Sequence, residues 1–123
     1  MSEPVTAFEY AVVRIVPRVE RGEFINGGVL VYSHGLDFLG SRSWLDRERL
    51  RALDSGADAD QIERALQAAT RCELSEGDDL GKRFRWLTAP RSTVVQPGPI
   101  HTGITQDPQA ALDRLFTLLV ARR

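Results

Sequence analysis

Cysteine and long hydrophobic runs are what this sequence has least of. Cys72 is the only cysteine among its 123 residues, so no disulfide can form within the chain. No histidine lies beside Cys72 in the sequence, and we expect a partly buried, unreactive thiol rather than a nucleophile. No stretch approaches the roughly 18 consecutive apolar residues that a membrane span needs. The first residues also lack the basic and apolar regions of a signal peptide, and the sequence therefore predicts a cytoplasmic protein.

Lysine is nearly absent as well. The chain has Lys82 and fifteen arginines, and its formal net charge is −1. This balance disfavours a general nucleic-acid binder, whose affinity depends on neutralising many phosphates. The arginine excess reflects either a genome rich in arginine codons or the use of arginine for planar, bidentate recognition. Composition leaves both explanations open.

The sequence contains none of the common short signatures of catalysis or metal binding. It has no GxxxxGK[ST] phosphate loop, no GxGxxG and no GxSxG. His34, Cys72 and His101 do not show the spacing of a zinc site, so we expect no metal and no cofactor. A carboxylate pair for acid–base catalysis stays open, because such pairs assemble in space rather than in sequence. These absences favour a non-catalytic protein.

The N-terminal third has the pattern of an antiparallel hairpin. Residues 8–16 and 24–32 are rich in β-branched and aromatic side chains, which is typical of strands. Gly22 lies between them and is suited to a positive φ in the connection. Both runs are apolar on both faces over part of their length, which indicates central strands. Residues 36–40 are expected to return as a short third strand.

Aspartates mark the expected starts of helices. Asp46 is a suitable N-cap for a first helix, and either Asp58 or Asp60 is suitable for a second. Asp107 followed by Pro108 is a stronger start signal, because proline is favoured at the first helical position. The sequence therefore predicts at least three helices.

The order of these elements predicts the fold class. Residues 84–87 are ambiguous, and residues 92–96 predict a late strand that the prolines and glycine at 97–99 would end. Strands come first, then two helices, a strand and a final helix. This order predicts one α+β domain over residues 1–123, with a mostly antiparallel sheet and helices packed on one of its faces.

The connection between the first two strands carries an unusual density of charge. It contains Arg18, Glu20, Arg21 and Glu23. In one interpretation these residues form a solvated loop whose ion pairs each contribute about 0–1 kcal/mol. In the other they form a recognition surface, in which arginine binds carboxylate or phosphate.

Three residues of the predicted strands define a second candidate site. If Arg14 pairs with Asn26, both polar side chains lie on one face, and Gly28 leaves space beside them. A shift of one residue would separate Arg14 from Asn26 and remove this pocket. Asn26 could satisfy the backbone of the hairpin itself, or it could contact a ligand.

Two residues further along the chain could complete such a site. Arg91 follows a proline, and His101 lies in a segment rich in proline and glycine, where functional groups are often displayed. Together with Arg14 and Asn26 they could bind an anionic metabolite or a nucleotide. A single histidine without an identified partner is more often structural.

The first two strands and their connection resemble a bacterial family labelled "domain of unknown function 3037". The motif has the form Arg-x-Val-Pro-x-x-x-Arg-Gly-Glu-x-x-Asn-x-Gly-Val. It is carried here by Arg14, Val16, Pro17, Arg21, Gly22, Glu23, Asn26, Gly28 and Val29. Residues 87–93, the pair His101 and Gly103, and the last helix also look like the family's pattern.

The resemblance implies a partner rather than a reaction. Members of the family are small proteins without an established activity, and they are often encoded beside a HipA-like kinase. This context implies an accessory protein, and our first hypothesis is that the charged connection, residues 18–23, forms its docking surface. A ligand site and a purely architectural motif are the other two hypotheses. The sequence leaves the oligomeric state open.

Overall fold

The structure is a computed structural model that describes residues 4–121. Its single sheet has four antiparallel strands in the order β3-β2-β1-β4. The strands are β1 (Thr6–Ile15), β2 (Ile25–Ser33), β3 (Phe38–Ser43) and β4 (Val95–Thr105). The helices are α1 (Arg47–Leu53), α2 (Ala59–Ala69), α3 (Leu80–Leu87) and α4 (Pro108–Leu119). The predicted α+β class and the antiparallel sheet are confirmed.

All four helices begin at an aspartate whose carboxylate accepts a backbone N–H in the first turn. These N-caps are Asp46, Asp58, Asp79 and Asp107. Such a cap satisfies one of the amide groups that a helix leaves unpaired, and it is worth about 1 kcal/mol. The sequence left Asp58 and Asp60 as alternatives, and the structure selects Asp58. Helix α3 begins at Asp79 and covers the run that the sequence left ambiguous.

The helices cover both faces of the sheet. Leu30 of β2 packs in one apolar cluster with residues of α1, α2 and α3, whereas its neighbours Val29 and Val31 pack in another cluster with α4. The sequence placed all the helices on one face. The structure differs because β2 is apolar on both sides, and side chains alternate between the faces of a strand. We call these the α1–α3 face and the α4 face.

Strand β4 is longer than the sequence predicted. It continues to Thr105 instead of ending at the prolines. Val13 pairs with Pro97 and Ala11 with Ile100, so Gly98 and Pro99 both lie opposite one residue of β1 as a bulge. Prolines are tolerated here because β4 is an edge strand, which needs donors on one side alone.

The described helices are all short. None of them, within residues 4–121, has the length and apolar character needed to cross a membrane.

Candidate functional site

The charged connection between β1 and β2 is a compact turn rather than an open loop. Val19–Arg21 forms one turn of 3-10 helix, and Gly22 ends it with a φ of 69°. Glycine adopts this left-handed conformation without steric cost, which explains why Gly22 is at this position. Two exposed ion pairs lie along the turn, Arg18 to Glu20 at 3.4 Å and Arg21 to Glu23 at 2.7 Å. The four charged side chains thus form a solvated surface.

Arg14 and Asn26 are opposite each other, in the register that their proposed pocket requires. The Nδ2 atom of Asn26 donates a hydrogen bond to the backbone oxygen of Leu119, at 3.0 Å. This oxygen is in the last turn of α4, where helix carbonyls lack partners within the helix. Asn26 therefore connects the end of α4 to the sheet by a hydrogen bond. This is an architectural role, as distinct from contact with a ligand.

Gly28 does not share a face with Asn26. Val13 pairs with Gly28 and Arg14 with Asn26, so Gly27 is an extra residue in β2 and forms a bulge. The extra residue shifts the alternation of side chains, and it turns Gly28 towards the α1–α3 face. A Cβ atom on Gly28 would lie 3.2 Å from Thr70 Cγ2. The space beside Gly28 is therefore occupied by packing rather than open to a ligand.

The guanidinium of Arg14 lies in a partly apolar setting on the α4 face. Its Cζ atom is 4.4 Å from the centre of the Phe24 ring. A Cβ atom on Gly98 would come within 3.3 Å of the guanidinium. The absence of a side chain at Gly98 therefore prevents a steric clash with Arg14. Arg14 Nε is buried and has no hydrogen-bond partner within the part of the chain that the structure describes. A buried polar group without a partner is uncommon in folded proteins.

His101 and Arg91 do not join Arg14 and Asn26. His101 pairs with Tyr10, and their rings are 5.2 Å apart. Tyr10 is four positions from Arg14 in β1, which is about 13 Å along an extended strand. Arg91 lies against α3, where its Nη2 atom donates to the backbone oxygen of Trp86 at 2.7 Å. The structure thus brings together two of the four residues, Arg14 and Asn26.

A cleft of about 510 Å³ opens between α2, the end of α3 and the first residues of β4. Alanines of α2 and the apolar residues before and within β4 supply much of its lining, and Trp86 and Arg91 stand at one side. The lining residues are Pro17, Asp54, Ala57, Asp58, Gln61, Ile62, Ala65, Ala68, Ala69, Trp86, Arg91, Thr93, Val94 and Val95. We call this cavity the Trp86 cleft. Its volume and apolar lining are typical of a binding site.

Trp86 is the most informative residue of the cleft. It is 53% exposed although it is a large aromatic residue. The Cζ atoms of Arg83 and Arg91 are 4.6 Å and 4.4 Å from the centre of its ring. Arg83 is itself held by two hydrogen bonds to the backbone oxygen of Arg71, at 3.0 Å and 2.7 Å. The exposed ring is thus positioned by two fixed guanidinium groups.

Sequence reasoning identified Arg91 as a candidate but missed the cleft around it. Ala65, Ala68 and Ala69 of α2 line one wall of this cavity. The available signal was Trp86, an aromatic residue set among arginines. Without the position of α3, that signal could not be linked to α2 or to β4.

Cys72 and the metal-ligating side chains add no further site. Burial raises the pKa of the Cys72 thiol above its ordinary value, which keeps the thiol protonated near neutral pH. Among residues 4–121 there is no group of three or more histidine, cysteine, aspartate or glutamate side chains suited to a metal ion.

A family model described as "Protein of unknown function (DUF3037)" matches residues 10–120. This range includes both charged pairs of the connection, the Arg14–Asn26 pair and the whole Trp86 cleft. No curated protein and no solved structure matches the chain.

Proposed function

Because the chain belongs to the DUF3037 family, whose function is unknown, we propose that it is a non-catalytic interaction module that holds a segment of a protein partner in the Trp86 cleft. The observation that carries the proposal is the exposed Trp86 ring beside an apolar cavity. Tryptophan and arginine are the residues most enriched among those that dominate binding energy at protein interfaces. Trp86 and Arg91 line the cleft, and Arg83 lies on the Trp86 ring.

The lining indicates the chemistry of the segment that would bind. An apolar side chain of the partner would fill the cavity against Ala65 and Val94. The side chains of Arg83 and Arg91 favour a carboxylate of the partner beside the Trp86 ring. Asp54 and Asp58 also line the cleft and disfavour a carboxylate next to them. We therefore infer a partner segment with a large apolar residue and a neighbouring aspartate or glutamate.

The charged connection lies next to the cleft and extends the surface. Pro17 lines the cleft, and Arg18 follows it directly in the chain. The exposed pairs formed by Arg18 to Glu23 would therefore lie at the rim of the same interface. Charges at a rim change the rate of association and the choice of partner more than the affinity itself.

A second cleft is less suited to such a partner. It lies between α1 and the end of α4, and charged residues of α1 supply much of its lining. Arg47 in this cleft is already paired with Asp60 at 3.0 Å and with Glu63 at 3.7 Å. A partner entering there would have to desolvate or replace these ion pairs.

The partner we propose is the HipA-like kinase that the family resemblance implies. Trp86→Ala is expected to weaken binding of the purified kinase by about 30-fold, or about 2 kcal/mol, because it removes the central aromatic contact. Biolayer interferometry with the immobilised chain measures the two dissociation constants. The matched control is Leu118→Ala, since Leu118 is 54% exposed but lies on α4 beside the second cleft.

Leu118→Ala should bind as the wild type does. Equal binding by wild type and Trp86→Ala would contradict the proposal that the partner binds in the Trp86 cleft. If Leu118→Ala weakens binding of the kinase instead, the partner binds at the second cleft. If the wild type itself does not bind the kinase, the proposed partner is wrong. The double variant Arg21→Ala/Glu23→Ala tests the rim, and we expect it to slow association with a smaller loss of affinity.

One observation favours a second candidate function at Arg14. Its buried Nε has no hydrogen-bond partner within residues 4–121, and an anionic metabolite or nucleotide would supply the missing acceptor. Titration with ATP is expected to shift the amide resonances of Phe24 and Asn26 in the wild type and to leave them unchanged in Arg14→Ala. His101→Ala is the control and should respond as the wild type does. Unchanged resonances in the wild type at millimolar ATP would contradict this candidate.

A further inference from the structure

Strand β4 forms one edge of the sheet, and the structure leaves most of that edge open. Within residues 4–121, the strand order places β1 on one side of β4 and no strand on the other. Residues 99–102 are all exposed, so no helix or loop of the described part of the chain covers them. The outward backbone groups of an open edge are a template for another strand.

The open part of the edge has defined ends. At one end Pro99 lies in the bulge and lacks an N–H donor, and at the other end the strand stops at Thr105. Both residues are three positions from Thr102 in the sequence. Thr102 is therefore the midpoint of the available edge.

The bulge and Pro99 protect one end of this edge, and residues 100–105 carry no charged side chain. Charged side chains, especially lysine, are the common protection in natural sheets. Strand β4 contains no aspartate, glutamate, lysine or arginine over its whole length. Two of its exposed residues are instead large and apolar, Ile100 at 46% and Ile104 at 68% exposed. An uncharged edge with outward isoleucines is suited to pairing.

The sequence around Thr102 is complementary to itself in an antiparallel pairing. A two-fold axis through Thr102 places Ile100 opposite Ile104 of a second copy, and Ile104 opposite Ile100. Ile100, Thr102 and Ile104 share a face, since their respective partners in β1 lie at alternate positions, Ala11, Glu9 and Ala7. Opposed isoleucines are favourable cross-strand pairs.

The other face of the strand fits the same axis. His101 of one copy would lie opposite Gly103 of the other, where the absence of a side chain leaves room for the imidazole. In the single chain a Cβ atom on Gly103 would lie 2.6 Å from Phe8 Cζ, so this glycine is also required by the aromatic residue beneath it. The pairing thus combines a large residue with a small one on this face.

We propose that a second copy of this chain pairs with β4 along residues 99–105, with Thr102 on the two-fold axis, and joins the two sheets into one of eight strands. The free edge is short, and the dimer is therefore expected to dissociate on dilution. The pairing leaves the Trp86 cleft accessible, since the cleft uses the beginning of β4 rather than its open part. The dimer does not depend on the proposed function of the cleft.

Sedimentation velocity over a range of concentrations tests the proposal. The wild type is expected to pass from monomer to dimer as its concentration rises. Thr102→Glu should raise the dimer dissociation constant by at least about tenfold, because two like charges would be directly opposite each other on the axis. Thr117→Glu adds the same charge to an exposed position of α4 and should dimerise as the wild type does.

Mixing two variants tests the register itself. Thr102→Glu and Thr102→Lys should each be monomeric alone, and an equimolar mixture should recover the dimer because opposite charges then meet on the axis. Circular dichroism of each variant checks that the fold is retained. A wild type that is monomeric at millimolar concentration would overturn the proposal. A dimer that Thr102→Glu leaves intact, or a mixture that stays monomeric, would overturn it equally.

Discussion

Replacing Phe84 with alanine is expected to lower the free energy of unfolding by about 3–5 kcal/mol, the cost of removing a buried aromatic side chain. Phe84 is 2% exposed, and its ring stacks on that of Tyr32 at 5.2 Å. This contact joins α3 to β2, and α3 also carries Trp86. Urea unfolding followed by circular dichroism measures the change, provided that the transition has two states.

The control for Phe84→Ala is on the same helix. Trp86 is two residues away and exposed, so Trp86→Ala is expected to cost less than about 1 kcal/mol. The two variants therefore separate folding from binding, since Phe84 supports α3 and Trp86 lies in the proposed binding cleft. Similar losses of stability in both variants would mean that Trp86 is a structural residue, and the argument for the cleft would fail.

Replacing Leu112 with alanine is expected to lower the free energy of unfolding by about 2–5 kcal/mol. Leu112 is 1% exposed and packs with Val29, Val31 and Phe116 between α4 and the sheet. Because this cluster lies on the α4 face, the variant tests whether the second layer is needed for stability. The same urea experiment gives the measurement.

Leu118→Ala is the matched control on α4. Its side chain is largely exposed, and its truncation should change the free energy of unfolding by about 0.5 kcal/mol or less. A loss of less than 1 kcal/mol in Leu112→Ala would contradict the two-faced arrangement, because α4 would then contribute little to the core.

Local signals in the sequence were sufficient for much of the fold. The apolar pattern of β1 and β2 predicted the hairpin. Two registers were open, and the structure has the one in which Arg14 lies opposite Asn26. Asp46 and Asp107 cap α1 and α4 as expected, since a cap depends on residues within one turn of helix. These features are encoded by neighbours in the chain.

The features that the sequence did not predict depend on distant residues. The bulge at Gly27 turns Gly28 to the other face, because Ile15 and Thr70 pack beside the two glycines. Strand β4 continues past Pro97 because β1 pairs with it from one side. Ile15 and Thr70 are distant in the sequence from the two glycines, and β1 is distant from β4. Local sequence patterns therefore did not predict the bulge or the length of β4.

The candidate site follows the same division. The charged turn from Arg18 to Glu23 was recognised from composition, and its exposed ion pairs agree with a solvated surface. The Trp86 cleft was not recognised, since its walls come from α2, α3 and β4. Pro17 lines the Trp86 cleft and directly precedes the charged turn. The cleft and the charged turn are therefore parts of one proposed interface.

The most direct test of this account uses the two tryptophans of the chain. Their indole N–H groups give separate NMR signals in the 15N-labelled protein, and Trp44 lies in the second cleft whereas Trp86 lies in the first. Addition of the HipA-like kinase is predicted to shift or broaden the Trp86 signal first and to leave the Trp44 signal sharp. A change at Trp44 alone, or no change in either signal at saturating kinase, would contradict the proposal that the Trp86 cleft binds this partner.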